Sequence, residues 1–130
     1  MSKPLSIDDL YTDTGTFDQQ KVLEALHSRV VFTKDNEILF TADPTKLKAR
    51  DVILLYALAK KVLKVNSKIE SEVITNAEVL DKTKVNKNTV NVTIMRLKEK
   101  KLLIASGAGY EVPMFKVTEA VSLLSDKKTK

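Results

Sequence analysis

The chain has 130 residues, 43% of them hydrophobic, with 22 Lys and Arg against 17 Asp and Glu and a formal net charge of +5. That length and apolar fraction suit one domain of modest core with extensions, not two full domains. The absence of Cys excludes disulfides, thiolate metal sites and cysteine nucleophiles, and the longest apolar run, the eight residues Val52 to Ala59, is far short of the roughly 20 that cross a bilayer. With no signal peptide to be read, the expectation is a soluble cytoplasmic protein that makes no membrane contact. Met1 to Thr16 is polar and acidic with no sustained period, and residues 1–16 read as a flexible arm on which Leu5, Ile7, Leu10 and Tyr11 offer docking groups.

Residues 17–43 form an extension. Phe17 to Ser28 carries Val22, Leu23 and Leu26 at helical spacing, which predicts a short amphipathic helix. His27, the only histidine, has no neighbouring ligand or relay partner and reads as a surface or half-buried side chain. Val30 to Thr33 and Ile38 to Thr41 are β-prone runs on either side of Lys34-Asp35-Asn36-Glu37, a hairpin in which Val31, Ile38 and Phe40 need a cover.

Asp43-Pro44 supplies a turn, and Ala49 to Val65 reads as the longest helix. Val52, Leu55, Tyr56, Ala59, Val62 and Leu63 share one face while Leu54 and Leu58 lie well round from it, so this helix is buried from two directions. One side takes the helices that follow; the other takes the N-terminal helix and hairpin, or a second subunit in a homodimer. Lys60, Lys61 and Lys64 suit the negative end of the helix dipole. Asn66 to Val73 is a polar connector whose Glu70 and Glu72 read as solvated charge, with a short strand at Val73 to pair with a later hairpin.

Thr75, followed three residues later by Glu78, is a capping box that starts a helix with Ala77 and Leu80 inward, ending near Lys82 or Thr83. Val85 plugs the turn, and Asn86 caps a second helix, Lys87 to Lys100, in which Val90, Ile94 and Leu97 make a narrow apolar face. Its outer face holds Asn88, Thr89, Asn91, Thr93 and Arg96, short amides, hydroxyls and a guanidinium suited to base edges; the alternative is a merely solvated face. Residues 82 to 101 hold seven basic side chains against the single acid Glu99, and residues 44 to 130 carry 18 basic and 9 acidic groups where residues 1 to 43 carry 4 and 8. Polyanion attraction follows for the second part of the chain.

Leu102 to Val117 gives two apolar stretches around Gly107-Ala108-Gly109, a hairpin whose second strand is an edge or bulged near Pro113. Thr118 caps a short helix, Glu119 to Leu124, with Val121 and Leu124 inward. Residues 126–130 are a basic tail. No Gly-rich phosphate loop, metal-ligand set, nucleophile triad or carboxylate pair stands at a usable spacing, so no cofactor is expected and the chain reads as a non-enzyme.

The order helix, turn, helix, hairpin and the residues VNKNTVNVTIMRLKEKKLLIAS resemble the recognition helix and first wing strand of winged-helix (winged helix-turn-helix) DNA-binding domains of prokaryotic and archaeal regulators, over about Lys48 to Leu124. The resemblance implies an α+β fold in which residues 44–125 build a three-helix core with a small sheet, carrying the N-terminal helix and β-hairpin as an extension. It also implies double-stranded DNA as partner. Lys87, Asn88, Thr89, Asn91, Thr93 and Arg96 would then stand at the groove, with Lys82, Lys84 and Lys98 on phosphates, as in a transcriptional regulator. Two departures stand out: Lys101 occupies a position where Gly is common, and the wing tip has no cation. A winged-helix module that docks on another protein in a larger assembly is the alternative reading.

Overall fold

The computed structural model is α+β, and among its described residues five helices and two small antiparallel hairpins follow one another along the chain. They are α1 Gln19–Leu26, β1 Val30–Phe32, β2 Ile38–Phe40, α2 Ala49–Val65, α3 Asn76–Thr83, α4 Lys87–Glu99, β3 Ile104–Ser106, β4 Gly109–Glu111 and α5 Val117–Asp126. The structure describes residues 19–27, 29–41, 48–83, 85–113 and 116–126, the last two as backbone. The N-terminal arm, the Asp43-Pro44 turn, Lys84 and residues 127–130 of the basic tail lie outside the described residues, while Asp126 ends α5. Among those described, no helix is long and apolar enough to cross a membrane.

The helix α2 has the predicted bounds and is the hub. Every residue from Asp51 to Ala59 is buried, as are Lys61, Val62 and Leu63, because α1, α3, α4, α5 and β2 all pack on it. A helix apolar on most sides needs such an all-round cover, and elements of the same chain supply it here.

Two inward assignments in the extension are corrected. In α1 the buried side chains are Val22, Ala25 and Leu26, while Leu23 faces outward. In the first hairpin Val30 pairs with Phe40 and Val31 with Leu39. Val30 is buried and Ile38 and Phe40 are half-buried against the core, whereas Val31 and Leu39 are exposed. Side chains alternate along a strand, so choosing Val30 as the inward residue necessarily turns Val31 out. The turn has Asn36 at φ 65°, and its side-chain amide donates to the Lys68 carbonyl at 3.1 Å, tying the hairpin to the end of α2.

Thr75 caps α3 as expected, its Oγ1 accepting from the Glu78 N–H at 3.1 Å. The reciprocal half of the capping box is absent, because the Glu78 carboxylate instead accepts from Tyr56 and from Lys60 of α2. The inward residues of α3 are Val79 and Thr83, with Leu80 half-buried; Ala77 is exposed, contrary to expectation. Thr83 can be buried because its hydroxyl donates to the Val79 carbonyl at 2.7 Å. Val85 packs on the core as predicted, and Asn86 caps α4 by accepting from the Asn88 and Thr89 N–H groups.

The end of α4 shows how Lys101 is accommodated. Lys101 adopts φ 65°, its N–H donates to the Lys98 carbonyl at 3.0 Å, and the Leu102 N–H donates to the Leu97 carbonyl at 2.9 Å. This is a Schellman closure with an L side chain in the left-handed position that favours glycine. Lys101→Gly is expected to stabilise the fold by about 1 kcal/mol, read as a higher urea midpoint at unchanged slope. An unchanged or lower midpoint would show that the lysine side chain contributes as much as the backbone relief.

After it, β3 and β4 pair with Ile104 opposite Glu111 and Ser106 opposite Gly109. The predicted strand partner lies at Ile74, one residue beyond Val73: Ile74 and Tyr110 exchange two backbone hydrogen bonds of 2.8 Å. Thr118 is not a cap, because α5 begins at Val117; Val117, Ala120 and Leu124 are its buried side chains and Val121 is half-buried against the core.

Candidate nucleic-acid interface

Among the described residues, none packs over the outer face of α4. Val90, Ile94 and Leu97 are buried against the core. At 3.6 residues per turn the diametrically opposite line runs through Asn88, Val92, Met95 and Glu99, all exposed. Lys87, Asn91 and Lys98 flank this line on one side and Thr89, Thr93 and Arg96 on the other.

The nine predicted site residues therefore fall into distinct environments. Lys87, Asn88, Thr89 and Arg96 are exposed on α4. Asn91 is exposed but tied down, its Oδ1 accepting from Asn76 Nδ2 at 2.6 Å, which links the starts of α3 and α4. Thr93 is half-buried. The Lys98 ammonium lies 5.2 Å from the centre of the Tyr110 ring, a cation–π contact that joins α4 to the second hairpin. Lys82 is exposed at the end of α3, with Asp81 4.0 Å away. Lys84 lies outside the described residues.

Arg96 and Thr93 open onto a cleft of about 540 Å³ that is also lined by Arg50, Leu97, Glu99 and Lys100. Arg50 stands in the first turn of α2 and is held by Asp51, whose carboxylate lies 3.2 Å from the guanidinium and is fully buried. The cleft thus brings three cations together beside the exposed face of α4. Arg50 and Lys100 were missed by sequence reasoning. Lys100 sits in the basic run and was legible there; Arg50 is remote in sequence and only packing of α2 against α4 brings it near.

A second set of polar groups fixes the angle at which α3 and the connector meet α2. Lys60 Nζ donates to Glu78 at 2.7 Å and to the Val73 carbonyl at 2.9 Å, and the Tyr56 hydroxyl also donates to Glu78. Burial, and then the hydrogen bond and charge of Glu78, hold the Tyr56 phenol well above its ordinary value. Lys61 is buried and paired with Glu72 at 2.6 Å. Glu111 of β4 joins this pair: burial first, then its hydrogen bond to Glu72 and that neighbour's charge, raise its carboxyl, with Lys61 and Lys64 opposing. Lys60, Lys61 and Glu72 are therefore ion-paired structural groups, not the dipole complement and solvated charge expected of them.

No family model matches the chain, and neither a curated protein nor a solved structure matches it.

Proposed function

We propose that this chain is a cytoplasmic, non-enzymatic double-stranded DNA-binding protein of the winged-helix type, a transcriptional regulator that lays α4 in the major groove and sets β3 and β4 alongside as the wing. The observation that carries the reading is the face of α4 that no part of the described chain covers, flanked by Lys87, Lys98, Lys100, Lys101 and Arg96 with Glu99 as its one acid. A helix buried on one side and basic on the other fits a groove walled by phosphates. Arg50 and Lys100 at the cleft, with Lys82, Lys84 and Lys98, supply backbone contacts that fix register, and the exposed centre of α4, with Arg96 beside it, supplies base contacts.

Fluorescence anisotropy with random-sequence duplex DNA tests this directly. Binding is expected to weaken by roughly a thousandfold between about 50 and 200 mM salt if about six phosphates are neutralised. Removing Lys84 should weaken every sequence alike, whereas removing Asn88 or Arg96 should relax base preference by about 1 to 3 kcal/mol. Absence of binding at the lowest salt would sink the reading. The second reading, a winged-helix module that docks on another protein, is favoured by the 46% and 59% exposure of Val92 and Met95 and by a wing tip without a cation. Recovery of one stable protein partner, lost in Met95→Glu, would support it.

A further inference from the structure

The most exposed line of α4 is apolar at its middle. Val92 is 46% and Met95 59% exposed, and Asn88 precedes them by one turn on the same line. Neither side chain has anything to offer a phosphate, and both are costly to leave in water on a helix otherwise rich in polar groups. We infer that Asn88, Val92 and Met95 read A·T base pairs in the major groove, Asn88 pairing with an adenine edge while Val92 and Met95 pack on thymine C5-methyl groups. The inference rests on the DNA reading above and adds which base pairs the helix selects and by which atoms.

Elimination among the polar groups points the same way. Three asparagines lie at or near the start of α4. Asn86 uses its side-chain oxygen on the helix cap, and Asn91 is bonded to Asn76. Asn88 alone has an exposed side-chain amide that bonds to no other described residue. An unengaged carboxamide is the group that meets the adenine N7 acceptor and N6 donor together. Thr93 is half-buried beside the cleft and does not lie on this line.

Spacing and charge agree. Asn88 to Met95 spans about 10 Å along the helix axis, the length of about three base-pair steps. Flanking cations at Lys98 on one side and Lys100 on the other match phosphate walls on both sides of such a groove. Glu99 continues the line at its C-terminal end, where its charge repels the backbone, so the N-terminal part of α4 enters deepest. A thymine methyl beside an adenine edge is displayed only in the major groove of DNA, which commits the apolar pair to that occupant in preference to RNA.

The test uses the full chain and a duplex selected by it from a random pool, which is expected to be rich in A·T pairs. Replacing the selected thymines one at a time by deoxyuridine removes only the methyl group. Affinity of the unaltered protein should fall about fourfold at each contacted position, the effect of withdrawing one methyl-sized apolar group from burial. Val92→Ala with Met95→Ala should bind more weakly and should no longer distinguish thymine from deoxyuridine, at an unchanged salt slope. Equal affinity of the unaltered protein for all deoxyuridine duplexes would overturn the inference while leaving DNA binding intact. Failure to bind any duplex would overturn the DNA reading itself. Binding with no A·T preference in the selected pool would likewise overturn the assignment of Asn88.

Discussion

Replacing Lys61 with Met is expected to lower stability at pH 7.5 by about 3 kcal/mol, although the side chain is buried on α2 and is no part of the exposed face of α4. Met preserves the volume of the buried stem, so the loss is electrostatic and no cavity is opened. The ammonium, 2.6 Å from Glu72, is the cation that holds two neighbouring carboxyls, Glu72 and Glu111, in a partly dry site. Without it, like charges remain together. Because Glu111 is already raised above its ordinary 4.5 in the folded chain, the fold binds that proton more tightly than the unfolded chain does. Stability linked to this group therefore increases as pH falls through its folded value towards 4.5 and decreases as pH rises through it. The deficit of Lys61→Met should accordingly be smaller at pH 5 than at pH 7.5, measured by urea unfolding at each. Lys61→Met combined with Glu72→Leu should recover to within about 1 kcal/mol of the original, since replacing both partners leaves no uncompensated buried charge. A single variant as stable as the original at pH 7.5 would show that water reaches this pair.

Gly109→Ala is expected to cost about 3 kcal/mol and to lower Tm by roughly 10 °C. A Cβ added at Gly109 would stand 2.1 Å from the Ile74 carbonyl oxygen and 2.8 Å from a Val73 methyl. Backbone must therefore move, and the backbone in question carries the two hydrogen bonds between Ile74 and Tyr110. Those bonds join the second hairpin to the segment entering α3, so the strain falls on the junction that places this hairpin beside α4. Gly107 provides the contrast. It has φ 58° in the two-residue turn but open space around it, and Gly107→Ala should cost only about 1 to 2 kcal/mol of backbone strain. If the two variants melt alike, the close approach at Ile74 is relieved more easily than its geometry indicates. Under the proposed function, DNA affinity of Gly109→Ala, measured below its melting temperature, reports whether placement of the second hairpin contributes to binding.

The elements were largely legible because they arise from interactions within a turn or two of chain. The apolar stretch from Ala49 to Val65, the Asn86 cap, the Val90, Ile94 and Leu97 stripe and the Gly107-Ala108-Gly109 turn each state their local geometry in residues close together in sequence. The exposed face of α4 followed from the same period, which places Val92 and Met95 at its centre as plainly as the polar groups on its flanks.

What tertiary structure alone decided are choices between local alternatives of similar energy and contacts between remote residues. Val30 and Val31 are equally fit to face the core, and packing against α2 selects Val30. Glu78 could have completed a capping box, but α2 brings Lys60 and Tyr56, 18 and 22 residues away, into a stronger site. Lys61 and Glu72, 11 residues apart, look like ordinary surface charge until burial makes them partners. Arg50 joins Arg96 and Lys100 at one cleft only because α2 crosses α4. Periodicity and capping report which way the chain turns within a few residues; the meeting of charges from separate helices depends on how the apolar faces of those helices pack, which no short window of sequence contains.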